Sequence, residues 1–329
     1  MKRKLWTGIP AAIGLLVLIL DTKTALSGAS QGLELCIRTV IPSLLPFFVL
    51  SILLTSALTG ESIPMLRPLG RLCGVARGAE SLLLIGMLGG YPAGAQCVAQ
   101  ANLRRQDAQR MIAFCNLAGP AFLFGIVAGK FSNSYAPWLL WGIHILSALL
   151  VATLLPGKSR ETALLRSGKP LTISDALQRS LRIMASVCGW IILFRILIAF
   201  LERWFLWLLP IPAQVAITGL VELSNGCCDL GRISNEGLRF IIATAILASG
   251  GLCVTMQTAS VTNGLSLKTY LVGKVLQVLI SILMAALLQA TQIKIPVFFW
   301  LAIPAAIVTT VKFLHKKQKK SSISQLVGV

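Results

Sequence analysis

The sequence predicts an all-α polytopic membrane protein: two inverted-topology repeats, each with a re-entrant helical hairpin, in about eight spans plus two hairpins. Three observations carry this. Hydrophobic residues make up 56% and charged residues 12% of the 329-residue chain, and the mean hydropathy of +0.81 is far above that of a soluble domain. Most of the 30 basic residues, which give a net charge of +19, can be gathered on one side of a membrane by a single topology. Two apolar segments at matching places are broken by small and polar residues, Gly86-Met-Leu-Gly-Gly-Tyr-Pro-Ala-Gly-Ala95 and Glu222-Leu-Ser-Asn-Gly-Cys-Cys-Asp229. In lipid such breaks persist only where protein buries them or a polar cavity runs past them, and a matched pair points to a transporter site.

Apolar segments lie near 6–20, 36–58, 81–102, 111–129, 136–156, 187–209, 212–228, 238–259, 270–290 and 295–311. Spanning by all ten would put the 158–182 loop, with Lys158, Arg160, Arg166, Lys169, Arg179 and Arg182, outside together with Arg104, Arg105 and Arg110. That inverts the positive-inside rule. If 81–102 and 212–228 instead enter and return on one side, Lys2 to Lys4, Arg67, Arg71, Arg77, Arg104, Arg105, Arg110, the 158–182 loop, Lys268, Lys274 and the tail lysines from Lys312 to Lys320 all become cytoplasmic. Only Lys23, Lys130, Arg203, Arg232, Arg239 and Lys294 then lie outside, and both termini are cytoplasmic. Each leg of the first hairpin holds about eight apolar residues, or ~12 Å of helix, half a bilayer.

The same topology generates a repeat. Residues 1–35 form an N-terminal span and outer loop, 36–156 a first gate-like repeat, and 157–186 a basic cytoplasmic linker whose 173–186 stretch reads as an amphipathic surface helix. Residues 187–290 form the second repeat, and 291–329 the last span and basic tail. Asp107-Ala-Gln-Arg-Met-Ile-Ala113 parallels Glu236-Gly-Leu-Arg-Phe-Ile-Ile242, and each leads into a helix interrupted by small residues, Gly119-Pro120 or Ser249-Gly250-Gly251. The opening Met1-Lys-Arg-Lys and its apolar run also fit a signal peptide cleaved near Ala29, which leaves residue 30 outside in either case.

Val40-Ile-Pro-Ser-Leu-Leu-Pro-Phe-Phe-Val-Leu-Ser51, Gly89-Gly-Tyr-Pro-Ala-Gly-Ala95, Leu220-Val-Glu-Leu-Ser-Asn-Gly226 and Ala248-Ser-Gly-Gly-Leu-Cys-Val-Thr-Met-Gln257 resemble the YlbJ-type sporulation integral membrane proteins, within the wider nucleoside recognition or gate domain group. The likeness spans roughly 30–290; the second hairpin departs from it at Cys227-Cys228-Asp229. The resemblance implies a role in endospore formation, in the cell membrane or the mother-cell-derived outer forespore membrane, moving dipicolinic acid from mother cell toward forespore. The domain name implies nucleosides, so another small solute is the alternative cargo.

Gly89, Gly90, Pro92 and Gly94 free backbone groups and let a helix N-terminus face an anion; close helix packing is the plainer use of small residues. Tyr91 and Gln96 flank that break and can hydrogen-bond a carboxylate or hydroxyl. Glu222, an acid in an apolar stretch, can bind a coupling ion or proton, or pair with Arg195. Ser224, Asn225 and Gly226 offer short polar ligands or cap a helix across the break. Asn116, Ser249, Gly250 and Gln257 lie on the neighbouring interrupted helices and can touch substrate or glue helices together. Arg38 and Arg195 read as snorkelling arginines, His144 as an interior or interface histidine, and Trp138, Trp141, Trp204, Trp207 and Trp300 as an interfacial belt.

The eight cysteines contain no C-x-x-C pair and read as small buried residues, so no metal and no cofactor is expected. No H-E-x-x-H, G-x-S-x-G or Walker motif is present, and no span pairs two acids for acid–base work, so the sequence points away from an enzyme. The expected partners are a small anionic solute and membrane lipid, with homo-oligomerisation open and nucleic acid excluded, because the basic residues orient the chain. A non-transporting assembly factor is the remaining alternative; it has no use for two interrupted hairpins.

Overall fold

The computed structural model describes residues 2–58, 63–157, 171–262 and 264–291. The described residues form helices and connecting loops, and six stretches are long and apolar enough to cross a membrane: Thr22–Leu54, Arg105–Lys130, Ala136–Leu154, Ile173–Trp204, Glu236–Val261 and Lys268–Ala290. The expected span 295–311, the lysine tail and positions 158–170 of the linker lie outside the described residues.

Helix α1 (Lys2–Leu20) leads into α2 (Thr22–Leu35), which passes through one wide π turn at Cys36–Val40 into α3 (Ile41–Leu58). The outer loop expected before residue 36 is therefore helix. It pairs with α10 (Ile173–Trp204), a single helix of 32 residues. The reason lies in Gly28 and Gly32, one turn apart: a Cβ on Gly28 would sit 2.9 Å from Ile196 Cα, and one on Gly32 2.9 Å from Ile192 Cα. Farther along, Cys36 Sγ lies 3.8 Å from the Cys188 carbonyl, and Ser56 Oγ accepts from Leu171 N at 3.5 Å. Rising numbers on one helix meet falling numbers on the other, so the pair is antiparallel.

The continuity of α10 also corrects the separate surface helix expected at 173–186. Thr172 and Asp175 form a reciprocal capping box that starts the helix, and no break follows until Phe205, so the amphipathic stretch runs straight into the span.

After α4 (Arg67–Leu72) come α5 (Ser81–Gly89) and α6 (Ala93–Gln100), separated by Gly90 at φ 73°, a conformation that glycine adopts without cost. Helix α7 (Arg105–Cys115) stops at Asn116. Pro120 disfavours a helical residue before it and opens α8 (Pro120–Phe122), which widens into a π turn, Leu123–Val127. Helix α9 (Ala136–Leu154) closes the first half.

Pro212 sits in the first turn of α11 (Ile211–Val221), Glu222 is extended, and α12 (Leu223–Asp229) follows. Helix α13 (Glu236–Ser249) ends on left-handed Gly250, and α14 (Gly251–Val261) and α15 (Lys268–Thr291) complete the described chain.

Glycine lets the short helices fold back on one another. A Cβ on Gly226 would overlap the Gly219 backbone, and Cβ atoms on Gly86 and Gly94 would both overlap the Cys115 carbonyl oxygen. The end of α7 is thus seated in the notch between α5 and α6.

Two basic residues placed in loops by the charge count are interior. Arg110 is buried; its guanidinium donates to the carbonyls of Leu155, Gly74 and Ala152 and lies over the Phe114 ring. Lys274 is buried in α15. That helix is sided: Tyr270, Lys274, Gln277, Ser281 and Ala285 are buried, while Leu271, Val275, Leu279, Leu283 and Leu287 are exposed. Its apolar face suits lipid and its polar stripe faces protein, the arrangement expected where the surrounding solvent is hydrocarbon. Trp204 at the end of α10, Trp207 just beyond it and Trp138 in the first turn of α9 are exposed, Trp141 is half-buried against the core, and Trp300 lies outside the described residues.

Candidate functional site

The breaks meet. A Cβ on Gly119 would lie 2.9 Å from Gly90 Cα, and one on Gly250 3.2 Å from the Tyr91 hydroxyl. The break between α5 and α6 therefore touches the interruptions of both α7–α8 and α13–α14. Beside this point lies a partly open cavity. Glu222 and Ser224 from the second break, Gly89, Gly90 and Tyr91 from the first, and Gln257 from α14 supply its polar lining. Phe47 and Phe48 of α3, Phe122 of α8 and Ile191 of α10 supply apolar wall.

At Glu222 the backbone turns extended, and its carboxylate caps α12. Oε1 accepts from Ser224 N at 3.0 Å, and Oε2 accepts from Asn225 N and Asn225 Nδ2, each at 2.7 Å. The carboxylate is buried, so these donors and the positive end of the short helix hold it in place of water. The alternative pairing with Arg195 is overturned: Arg195 bonds Gln31 and Glu202, the latter at 3.0 Å. Arg38 is exposed and pairs with Glu34 at 3.1 Å.

A second polar cluster stands behind the first break. Lys274 Nζ donates to Tyr91 Oη at 3.0 Å, to the Asn116 carbonyl at 2.8 Å and to Gln277 Oε1 at 3.0 Å. Tyr91 in turn donates to the Leu247 carbonyl at 3.2 Å. His144 Nε2 accepts from Ala118 N at 3.0 Å, and the Gln277 amide donates to the His144 carbonyl at 3.2 Å. Asn116 Oδ1 accepts from Ala95 N at 3.3 Å, and Asn116 Nδ2 donates to Thr258 Oγ1 at 2.8 Å. These side chains satisfy backbone groups that the breaks release, which is why the breaks are tolerated in an apolar setting.

The residues singled out from sequence divide accordingly. Gly89, Gly90, Tyr91, Glu222, Ser224 and Gln257 line the cavity. Pro92 begins α6 and Gly94 receives the Cys115 carbonyl. Asn225 backs Glu222, Gly226 packs on Gly219, and Asn116 bridges α6 to α14. Ser249 Oγ donates to the Ile246 carbonyl at 2.9 Å and accepts from Gly251 N at 3.3 Å, Gly250 faces Tyr91, and Gln96 is half-buried and does not line the cavity. His144 is a hydrogen-bonded interior residue. Lys274 and Gln277 were missed, although Lys274, Gln277 and Ser281 recur at helical spacing within an apolar stretch, a signal of an inward-facing stripe. None of the eight cysteines is joined in a disulfide, and five of them are buried. Among the described residues no group of three His, Cys, Asp or Glu is arranged to hold a metal.

The chain is 28% identical over 309 aligned residues, covering 78% of this chain and 75% of the relative, to "Sporulation integral membrane protein YlbJ" of Bacillus subtilis (strain 168). The YlbJ-type likeness carried by the four motifs therefore extends over most of the chain. No family model matches it, and no solved structure matches it.

Proposed function

We propose that this YlbJ-type membrane protein is a transporter of a small organic anion during sporulation, with dipicolinic acid, moved from mother cell toward forespore, as the cargo that the resemblance implies. The observation that carries the reading is the cavity where the two broken segments meet: an apolar, aromatic-walled space with a few polar groups and freed backbone is the form of a small-solute site. In this reading transport is secondary or facilitated. Glu222 is the candidate for a coupling ion or proton, since an anion entering beside a buried carboxylate needs a compensating positive charge.

In this reading the α5–α6 and α11–α12 pairs are re-entrant hairpins in inverted repeats. Hydrogen bonds near their bases support it. Gly74, before α5, accepts from Arg110, which follows α6, and Arg105 donates to the Gly264 carbonyl at 2.9 Å. Gln214, near the start of α11, accepts from Arg232, just beyond α12, at 2.9 Å. The antiparallel α3 and α10, which begin the two repeats, support opposite orientation. Both termini are then cytoplasmic.

The test is a sporulating strain lacking the protein. Its spores should contain little dipicolinate and resist heat poorly, while dipicolinate still forms in the mother cell. Spores with normal dipicolinate would remove this cargo.

A further inference from the structure

We infer that Lys274 is the charge partner of the cargo, so that the cavity selects a small aromatic carboxylate, and that Tyr91 covers Lys274 when the site is empty. This rests on the transporter reading and names what that site recognises.

The Lys274 amine has three partners, the Tyr91 hydroxyl, the Asn116 carbonyl and Gln277 Oε1. All three present oxygen. Tyr91 gives its own proton to the Leu247 carbonyl, and Gln277 gives its amide protons to His144, so each is free to accept from the lysine. Three N–H donors facing three acceptors is the pattern of an ammonium. What the cluster lacks is negative charge. The ion pairs among the described residues, such as Arg195 with Glu202 and Arg203 with Asp21, do not involve Lys274.

A buried charge surrounded by neutral dipoles is costly in a membrane protein. Capping the end of α7 does not require it, because a glutamine or hydroxyl can donate to the Asn116 carbonyl. The charge itself is what lysine adds, and an anionic cargo is what it can answer.

Geometry supplies the route. Of the three partners, Tyr91 alone lines the cavity. Its ring also lies under the amine, with the nitrogen 5.0 Å from the ring centroid. A Tyr91 swing therefore removes both the hydroxyl and the ring from between the cavity and Lys274. A cargo carboxylate then takes the hydroxyl's place, turning an ion–dipole contact into an ion pair in a low-dielectric site. Phe47, Phe48 and Phe122 offer ring surface to the body of the cargo.

Calorimetric titration of the full-length protein in lipid nanodiscs tests this, using dipicolinate, picolinate and the neutral isostere picolinamide separately. The wild type should favour picolinate over picolinamide by at least tenfold. Lys274→Gln, which keeps hydrogen-bond donors, should abolish that preference. Tyr91→Phe removes the covering hydroxyl and should raise carboxylate affinity severalfold. It carries the test if Lys274→Gln does not insert. A Lys274→Gln protein with the wild-type preference, a Tyr91→Phe protein with unchanged or weaker carboxylate binding, or a folded wild type that binds none of the three would overturn the inference. Lys274-dependent binding of picolinate without binding of dipicolinate would sink dipicolinate as cargo and support Lys274. Equal dipicolinate binding with and without Lys274 would do the reverse.

Discussion

Gly226 and Gly219 meet backbone to backbone, with no room for a Cβ on Gly226 beside the Gly219 Cα. This contact sets how closely α12 folds against α11, and with it the position of Glu222 between them. It is a use of glycine for approach, since neither residue has a positive φ.

Gly226→Ala should force the two helices apart and destabilise the protein by about 1–3 kcal/mol, the range for overpacking. Gly189→Ala is the matching control. Nothing lies within 4 Å of a Cβ there, so alanine should be neutral or stabilise α10 by up to about 1 kcal/mol. Thermal unfolding of both variants in detergent measures the difference; equal midpoints would show that the Gly219–Gly226 approach is not needed.

Glu222→Gln cannot reproduce the cap. Both carboxylate oxygens accept from donors, and a glutamine amide turns one acceptor into a donor facing another donor. The expected loss is about 1–3 kcal/mol for the unsatisfied group. Arg195→Gln should not mimic it, because Arg195 bonds elsewhere, and the two effects should add in the double variant. A strongly non-additive cycle would restore a Glu222–Arg195 link.

The parallel between Asp107–Ala113 and Glu236–Ile242 has a physical counterpart in its arginines. Arg110 gathers carbonyls from Gly74, Ala152 and Leu155. Arg239 gathers those of Ile233 and Lys130, at 2.6 Å from Nη2 and Nη1, and lies over Phe131. Lysine has no planar fork to span several carbonyls. Arg110→Lys should therefore speed amide exchange around 74–76, and Arg239→Lys around 131–133, while Arg38→Lys leaves both unchanged. Unaltered exchange in both variants would make the shared motif incidental.

Breaks were legible in the sequence because few residue patterns can interrupt a membrane helix: Gly90, Gly119-Pro120, Glu222 and Gly250 each carry a local reason to stop. Partner choice was not legible. Glu222 and Arg195 lie 27 positions apart in plausible register, yet a carboxylate at an extended residue before a helix is captured by the nearest backbone donors. Helix α2 escaped notice because Thr22–Leu35 is mildly polar, and its stability comes from Gly28 and Gly32 fitting against α10, a tertiary contact. Lys274 was assigned to a loop because charge was counted without asking which face of α15 bears it; the spacing to Gln277 and Ser281 held that answer.

Topology gives the last prediction. The hydrogen bonds tie Arg105 to Gly264 and Arg110 to Gly74 at one end, and Arg239 to Lys130 and Arg232 to Gln214 at the other. Single cysteines at 105, 160 and 268, in a background with the eight native cysteines replaced, should react with an impermeant maleimide only after the cell is opened. Cysteines at 130 and 232 should react in intact cells. Arg110 and Lys274 are unsuitable reporters, because both are buried and resist label from either side. Labelling of 105 from outside would mean that α5 and α6 cross the membrane together, and would dissolve the re-entrant reading along with the inverted repeat built on it.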